Sequence, residues 1–122
     1  RQALEMGACR IINIKAGRVG GLSQAVAIHN LCCQQGVPVW CGGMLETGFG
    51  RSANLALASL PGFTLPGDIS ATDRYYAEDI TEQRFSLNSD STITVPTAPG
   101  LGITINPDAL ARYTIRQTTV KL

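Results

Sequence analysis

The chain has 122 residues, 44% hydrophobic and 16% charged, with a formal net charge of +1. That composition belongs to an ordinary globular domain and argues against disorder. No apolar run reaches the roughly 18 residues of a membrane-spanning helix, and so even a charge balance gives no electrostatic case for nucleic acid or an anionic membrane as partner. A cytoplasmic location is the default expectation, because RQALEMGACR lacks the charged, apolar and small-residue layout of a signal peptide.

In chain order, QALEMG at 2–7 reads as the end of a helix closed by a glycine. CRIINIK at 9–15 is a β-branched run of the kind that forms a strand buried on both faces. LSQAVAIHNLCCQQG at 22–36 turns helical, with Leu22, Ala25, Ile28 and Cys32 on one face and Gly36 as the stop. VPVWC at 37–41 is a second strand, and Trp40 within it is expected in the core. RSANLALASL at 51–60 is a second helix facing inward through Ala53, Ala56, Leu57 and Leu60, and it ends at Pro61-Gly62. FTLPGDI at 63–69 is read as a third strand. Alternating strands and helices of this length predict an α/β fold with a parallel sheet.

Past residue 80 the runs RFSL, TITVP and GLGITI are separated by polar and Pro/Gly turns, which predicts a few antiparallel strands or extended segments, with a short helix at PDALARY. Cys9, Cys32, Cys33 and Cys41 have no zinc spacing and are expected to be reduced and mostly buried.

Functional groups in such folds gather at the C-terminal ends of strands. Lys15 ends an apolar strand, and two readings stand: a partly desolvated ammonium fit for acid/base work, or a lysine simply reaching solvent. Arg18 is an anion-binding guanidinium or, as favoured, a loop salt bridge. Gly17, Gly20 and Gly21 match neither a Walker loop nor the dinucleotide fingerprint, so a nucleotide site is weakly supported. Glu46 and Arg51 are expected to form an ion pair that holds the CGGMLETGFGR loop, a reading favoured over direct catalysis. Asp68 is a turn acceptor, a helix cap or a ligand. His29, on the flank of the first helix's apolar stripe, is expected to be structural.

CRIINIKAGRVGG, then GVPVWCGGMLETGFGRSANLALASLP, then FTLPGDIS and finally VPTAPGLGI together resemble the last third of an enolase-superfamily enzyme of the muconate-lactonizing type. The likeness is nearest to the o-succinylbenzoate synthase and N-acylamino acid racemase branch. It implies that residues 1–80 are strands six to eight of a (β/α) TIM-type barrel and that 81–122 return to an α+β capping domain. The implied chemistry removes the proton α to a carboxylate, with a divalent metal, magnesium as a rule, stabilising the enediolate.

Lys15 then matches the second of two acid/base lysines that face each other across the substrate. In the synthase reaction it stabilises the enolate as a cation; in racemisation it takes or gives the proton on one face. Gly42, Gly43 and Met44 match the segment that lines the substrate pocket, with Arg18, Glu46 and Asp68 in supporting roles. The family's Lys-x-Lys element and its metal-binding carboxylates lie on earlier strands, so no metal ligand is expected here. The sequence therefore reads as an incomplete part of a longer enzyme, inactive alone and homo-oligomeric in its parent, acting on a small carboxylate. A dipeptide epimerase or cycloisomerase is the alternative within the superfamily. A non-catalytic half that completes a barrel with a partner chain, or a degenerate remnant, is the alternative from another class.

Overall fold

The computed structural model describes residues 1–121, an α/β arrangement around a small parallel sheet. Helix α1 (Gln2–Glu5) leads to strand β1 (Ile12–Ile14), the single turn α2 (Ala16–Val19), helix α3 (Leu22–Gln34), strand β2 (Val39–Cys41) and helix α4 (Gly48–Ala58). A 3-10 turn at Thr72–Arg74 and helix α5 (Pro107–Tyr113) follow. β1 and β2 pair in parallel with Ile12 opposite Val39 and Ile14 opposite Cys41. That pairing requires a crossover, which α3 supplies.

The core is the seam between this sheet and the two longer helices: Ile14, Ala25, Cys32, Val39, Cys41 and Leu57 are buried together, with Ile12, Val26, Ile28, Phe63 and Ile69 packed on them. Each fully buried aliphatic chain of this set contributes about 1.5–3 kcal/mol.

Between α2 and α3 the chain must stop one helix and start another within two residues. Gly20 and Gly21 do so at φ of +95° and +107°, where a side chain would strain the backbone. The N–H of Gly21 turns back to the Ala16 carbonyl at 2.9 Å. It is therefore not presented to an anion, and the weak nucleotide reading loses its physical basis. At the other end of the chain, Asn106 caps α5 by accepting from the N–H groups of Asp108 and Ala109, and Pro107 stands at the first helical position.

Several expectations are corrected. Residues 63–69 do not form a strand: Pro66 has no N–H to give, and Asp68 N–H alone reaches back to β2, at the Cys41 carbonyl 3.3 Å away. The segment instead packs Phe63 and Ile69 onto the core. Helix α4 begins at Gly48, three residues early, and its buried face holds Arg51, Ser52, Asn54, Leu55 and Leu57, while Ala56 is exposed. Polar residues can face inward there because loops supply their partners.

In α3 the buried face comprises Ala25, His29 and Cys32, with Leu22 exposed. Trp40 is only half-buried and Cys33 is exposed. Beyond residue 80 an antiparallel bridge joins Thr81 to Ile105, and the remaining chain is mostly extended and irregular. Leu122, the last residue of the expected second unit, lies outside the described residues.

The chain around residue 80 ties the last helix to the elements before it. Asp79 is buried and accepts the Gly48 N–H at 2.7 Å, so it caps α4 from 31 residues away. Arg112 and the Tyr113 hydroxyl both donate to Glu78, at 2.7 and 2.8 Å.

Candidate active site

Lys15 leaves the C-terminal end of β1 in an extended conformation, just as the backbone turns into α2. The ladder runs one residue past the strands, with Gly42 N–H donating to the Ile14 carbonyl at 2.9 Å, so Gly42 lies beside the lysine. A Cβ at Gly42 would stand 2.6 Å from Lys15 Cγ and 2.7 Å from Cε. The aliphatic stem of the lysine is thus laid against bare glycine backbone. Its ammonium donates to the Gly43 carbonyl, and 17% of the side chain remains exposed. The side chain is thus mostly buried at the strand end.

Asp68 closes the arrangement. One carboxylate oxygen accepts the Gly43 N–H, and the other lies 3.9 Å from the Lys15 ammonium. Gly43 therefore uses both faces of its backbone, carbonyl to Lys15 and N–H to Asp68. A Cβ there would come within 2.7 Å of the Asp68 carbonyl oxygen, which is why the position is glycine. Of the three readings open for Asp68, the turn-acceptor one is nearest: it bridges two loops and caps no helix.

The loop after β2 is held by Glu46 and Arg51, in a way the sequence did not predict. The Glu46 carboxylate accepts the Met44 N–H at 2.8 Å and the Asn54 side-chain amide at 2.9 Å. Arg51 is fully buried and donates to the Glu46 backbone carbonyl at 3.0 and 3.2 Å and to the Ser70 carbonyl at 2.6 Å. Its guanidinium lies 5.8 Å from the centre of the Tyr75 ring. The expected Glu46–Arg51 ion pair is replaced by two separate sets of bonds that share one residue. Arginine suits the task because a planar fork of five donors can serve several carbonyls at once.

An open cleft of about 530 Å³ adjoins this site, walled by Gly43, Met44, Asp68, Ser70, Arg74 and Tyr75. Met44 is half exposed and offers a soft apolar wall. Gly42 is buried beneath Lys15 and does not line the cleft. Arg74 and Tyr75 were not anticipated, because they fall in a stretch with no periodic pattern.

Arg18 is exposed on α2 and takes part in none of the ion pairs among the described residues, so the favoured salt bridge is absent. His29 is structural, as expected: its Nε2 accepts the Gly62 N–H at 3.1 Å and its ring stacks on Phe63 at 5.2 Å.

Burial pushes the Cys41 thiol up to about 11, the carboxylates of Glu46 and Asp68 adding to the effect and Lys15 opposing it. Cys41 is therefore an inert thiol under the site, with its sulfur 3.7 Å from the Asn54 carbonyl. No three His, Cys, Asp or Glu side chains converge on a metal-sized space among the described residues. Asp68, the carboxylate beside Lys15, already has two partners. This donor set does not fit a divalent ion.

Residues 1–109 match the family described as Enolase C-terminal domain-like. The chain is 57% identical over 112 residues to an N-succinylamino acid racemase of Amycolatopsis sp, which covers 92% of this chain and 30% of the relative. It is 52% identical over 113 residues to the o-succinylbenzoate synthase of Bacillus subtilis (strain 168), covering 93% of this chain and 30% of that one. The crystal structure of an enolase-superfamily member from Listeria innocua superposes with a TM-score of 0.89 at 48% identity, over 94% of this chain and 31% of the other. The chain thus spans less than a third of the length of these relatives. On the match across most of its length, the chain belongs to the Enolase C-terminal domain-like family of the enolase superfamily.

Proposed function

We propose that this segment works within a longer enzyme that abstracts the proton α to a carboxylate, as an o-succinylbenzoate synthase or an N-acylamino acid racemase. Lys15 is its contribution to the acid/base pair. In the synthase reaction the α-proton and a hydroxyl group leave as water; in racemisation the proton leaves one face of the carbon and returns on the other. The observation that carries the reading is the seating of Lys15: a mostly buried stem with its ammonium at the strand end, held against Gly43, which with Asp68 lines an open cleft. A lysine merely reaching solvent would not be folded down onto Gly42 and Gly43.

In this reading residues 1–80 are strands six to eight of a (β/α) barrel and residues 81–122 contribute to a capping domain. The surface supports burial against further polypeptide. The chain exposes 8344 Å², whereas a compact monomer of its mass would expose roughly 6,300 Å². Ile11, Leu45 and Phe49 are among the apolar side chains left at least half exposed.

The magnesium of the family's chemistry would stabilise the enediolate, with its ligands outside this segment. The work left to these residues is to hold the lysine, with Gly43 and Met44 walling the substrate and Arg18, Glu46 and Asp68 in support. The test is an assay of the full-length enzyme carrying this segment for both dehydration to o-succinylbenzoate and racemisation of N-succinyl amino acids. Turnover in at least one supports the reading, and activity in neither removes it.

A further inference from the structure

We propose that Asp68 is the positioning residue for Lys15, acting through the backbone of Gly43. The inference rests on the acid/base reading of Lys15. A lysine side chain has four rotatable bonds and a strongly hydrated head, so a burial site for its stem does not by itself aim its nitrogen. What aims it is the Gly43 carbonyl, which accepts from the ammonium. That carbonyl belongs to the Gly43–Met44 peptide, whose N–H is held by the Glu46 carboxylate at 2.8 Å, but on its other side it hangs from Gly43, a residue with no side chain to limit its backbone rotation.

Asp68 limits that rotation by accepting the Gly43 N–H, which fixes the preceding Gly42–Gly43 peptide, so that Gly43 is held on both sides. Its direct pairing with the ammonium, at 3.9 Å, is longer than a hydrogen bond, and the carboxylate is 54% exposed, so screening leaves the through-space attraction weak. The peptide clamp is therefore the stronger of the two effects. It is itself braced, since the Asp68 N–H is tied to the Cys41 carbonyl at the end of β2. A lysine placed this way addresses one face of a substrate carbon, and a misplacement of about 1 Å costs on the order of a hundredfold in rate.

The test uses the full-length enzyme with Asp68→Ala, Asp68→Asn and Lys15→Ala, measuring deuterium uptake at the α-carbon of N-succinyl-L-alanine and N-succinyl-D-alanine in D2O. Lys15→Ala identifies the enantiomer whose proton faces Lys15. Asp68→Ala is expected to slow exchange of that enantiomer by on the order of tenfold to a hundredfold while the other changes little. Asp68→Asn keeps an oxygen for the Gly43 N–H and is expected to restore most of the rate. A general structural defect would slow both enantiomers together, and that result overturns the proposal. Equal damage from Asn and Ala overturns the peptide clamp as well. If Lys15→Ala leaves both exchange rates unchanged, the acid/base reading fails and the proposal with it, an outcome set apart by the lysine variant alone. Asp68 is exposed, so both variants should fold, and unchanged thermal unfolding verifies this.

Discussion

The guanidinium of Arg51 reaches the backbone carbonyl of Glu46, at 3.0 and 3.2 Å, while the Glu46 carboxylate turns away to Met44 and Asn54. One buried cation thus organises the loop after β2 and, through the Ser70 carbonyl, the segment that walls the far side of the cleft.

Replacing Arg51 should therefore be costly even by lysine. Arg51→Ala leaves two part-buried carbonyls without their donor and empties the buried site of the guanidinium, and is expected to lower unfolding stability by roughly 1–3 kcal/mol. Arg51→Lys should recover less than half of that, because one ammonium cannot serve both carbonyls in the same plane. Urea unfolding of the full-length enzyme reads both; an Arg51→Lys variant as stable as the parent would contradict this account of the loop.

The two adjacent glycines should respond differently to a single methyl group. At Gly42 the methyl would meet the Asn13 side-chain oxygen and the flexible stem of Lys15, at Gly43 the backbone of Asp68. Gly42→Ala is expected to displace the lysine and reduce turnover with little change in melting temperature. Gly43→Ala should force two loops apart and lower stability by about 1–3 kcal/mol. Comparing kcat with melting temperature for the pair separates these outcomes.

Asp79 stands at the N-terminus of α4, where its buried carboxylate accepts the Gly48 N–H. Loss of such a cap costs about 1–2 kcal/mol. Asp79→Ala should show this in thermal unfolding, together with faster proteolysis of residues 79–105, which Asp79 helps to fasten to α4. Unchanged proteolysis would mean the tail is anchored elsewhere.

The four cysteines should divide by burial. Cys41, pushed up to about 11, and Cys32, also raised by burial, are expected to resist an exposed-thiol reagent at pH 8. Cys33 is exposed and should be modified first, with half-buried Cys9 following. Mass spectrometry of tryptic peptides after brief alkylation reads the order, and early modification of Cys41 would contradict the burial seen under the site.

Much of the fold was legible where one local signal sufficed. The β-branched run before Lys15, the glycine after α3 and the Asn106-Pro107 start of α5 each determine their element from neighbours in sequence. The inward face of α4 was not legible, because burying Arg51 and Asn54 is tolerable only when carbonyls and a carboxylate from distant loops meet them, and those partners are set by tertiary structure. Residues 63–69 carry an apolar strand pattern, yet Pro66 removes a ladder donor and the segment packs through its side chains instead.

The site followed the same rule. Lys15 and its glycines could be picked out from the strand end and the family resemblance. That Asp68 would meet Gly43 across 25 residues, and that Arg74 and Tyr75 would wall the cleft, depended on how the loops fold over one another. No spacing in the sequence encodes that.

Lys15 is the proposed reactive group of this segment, a proton carrier in racemisation and an enolate-stabilising cation in the synthase reaction. The most direct measurement is kcat of the full-length enzyme and its Lys15→Ala variant on whichever substrate the parent turns over, with the unfolding temperature of each. The account predicts a loss on the order of 10²–10⁴-fold or more with the unfolding temperature nearly unchanged. Near wild-type turnover in the folded variant would contradict it.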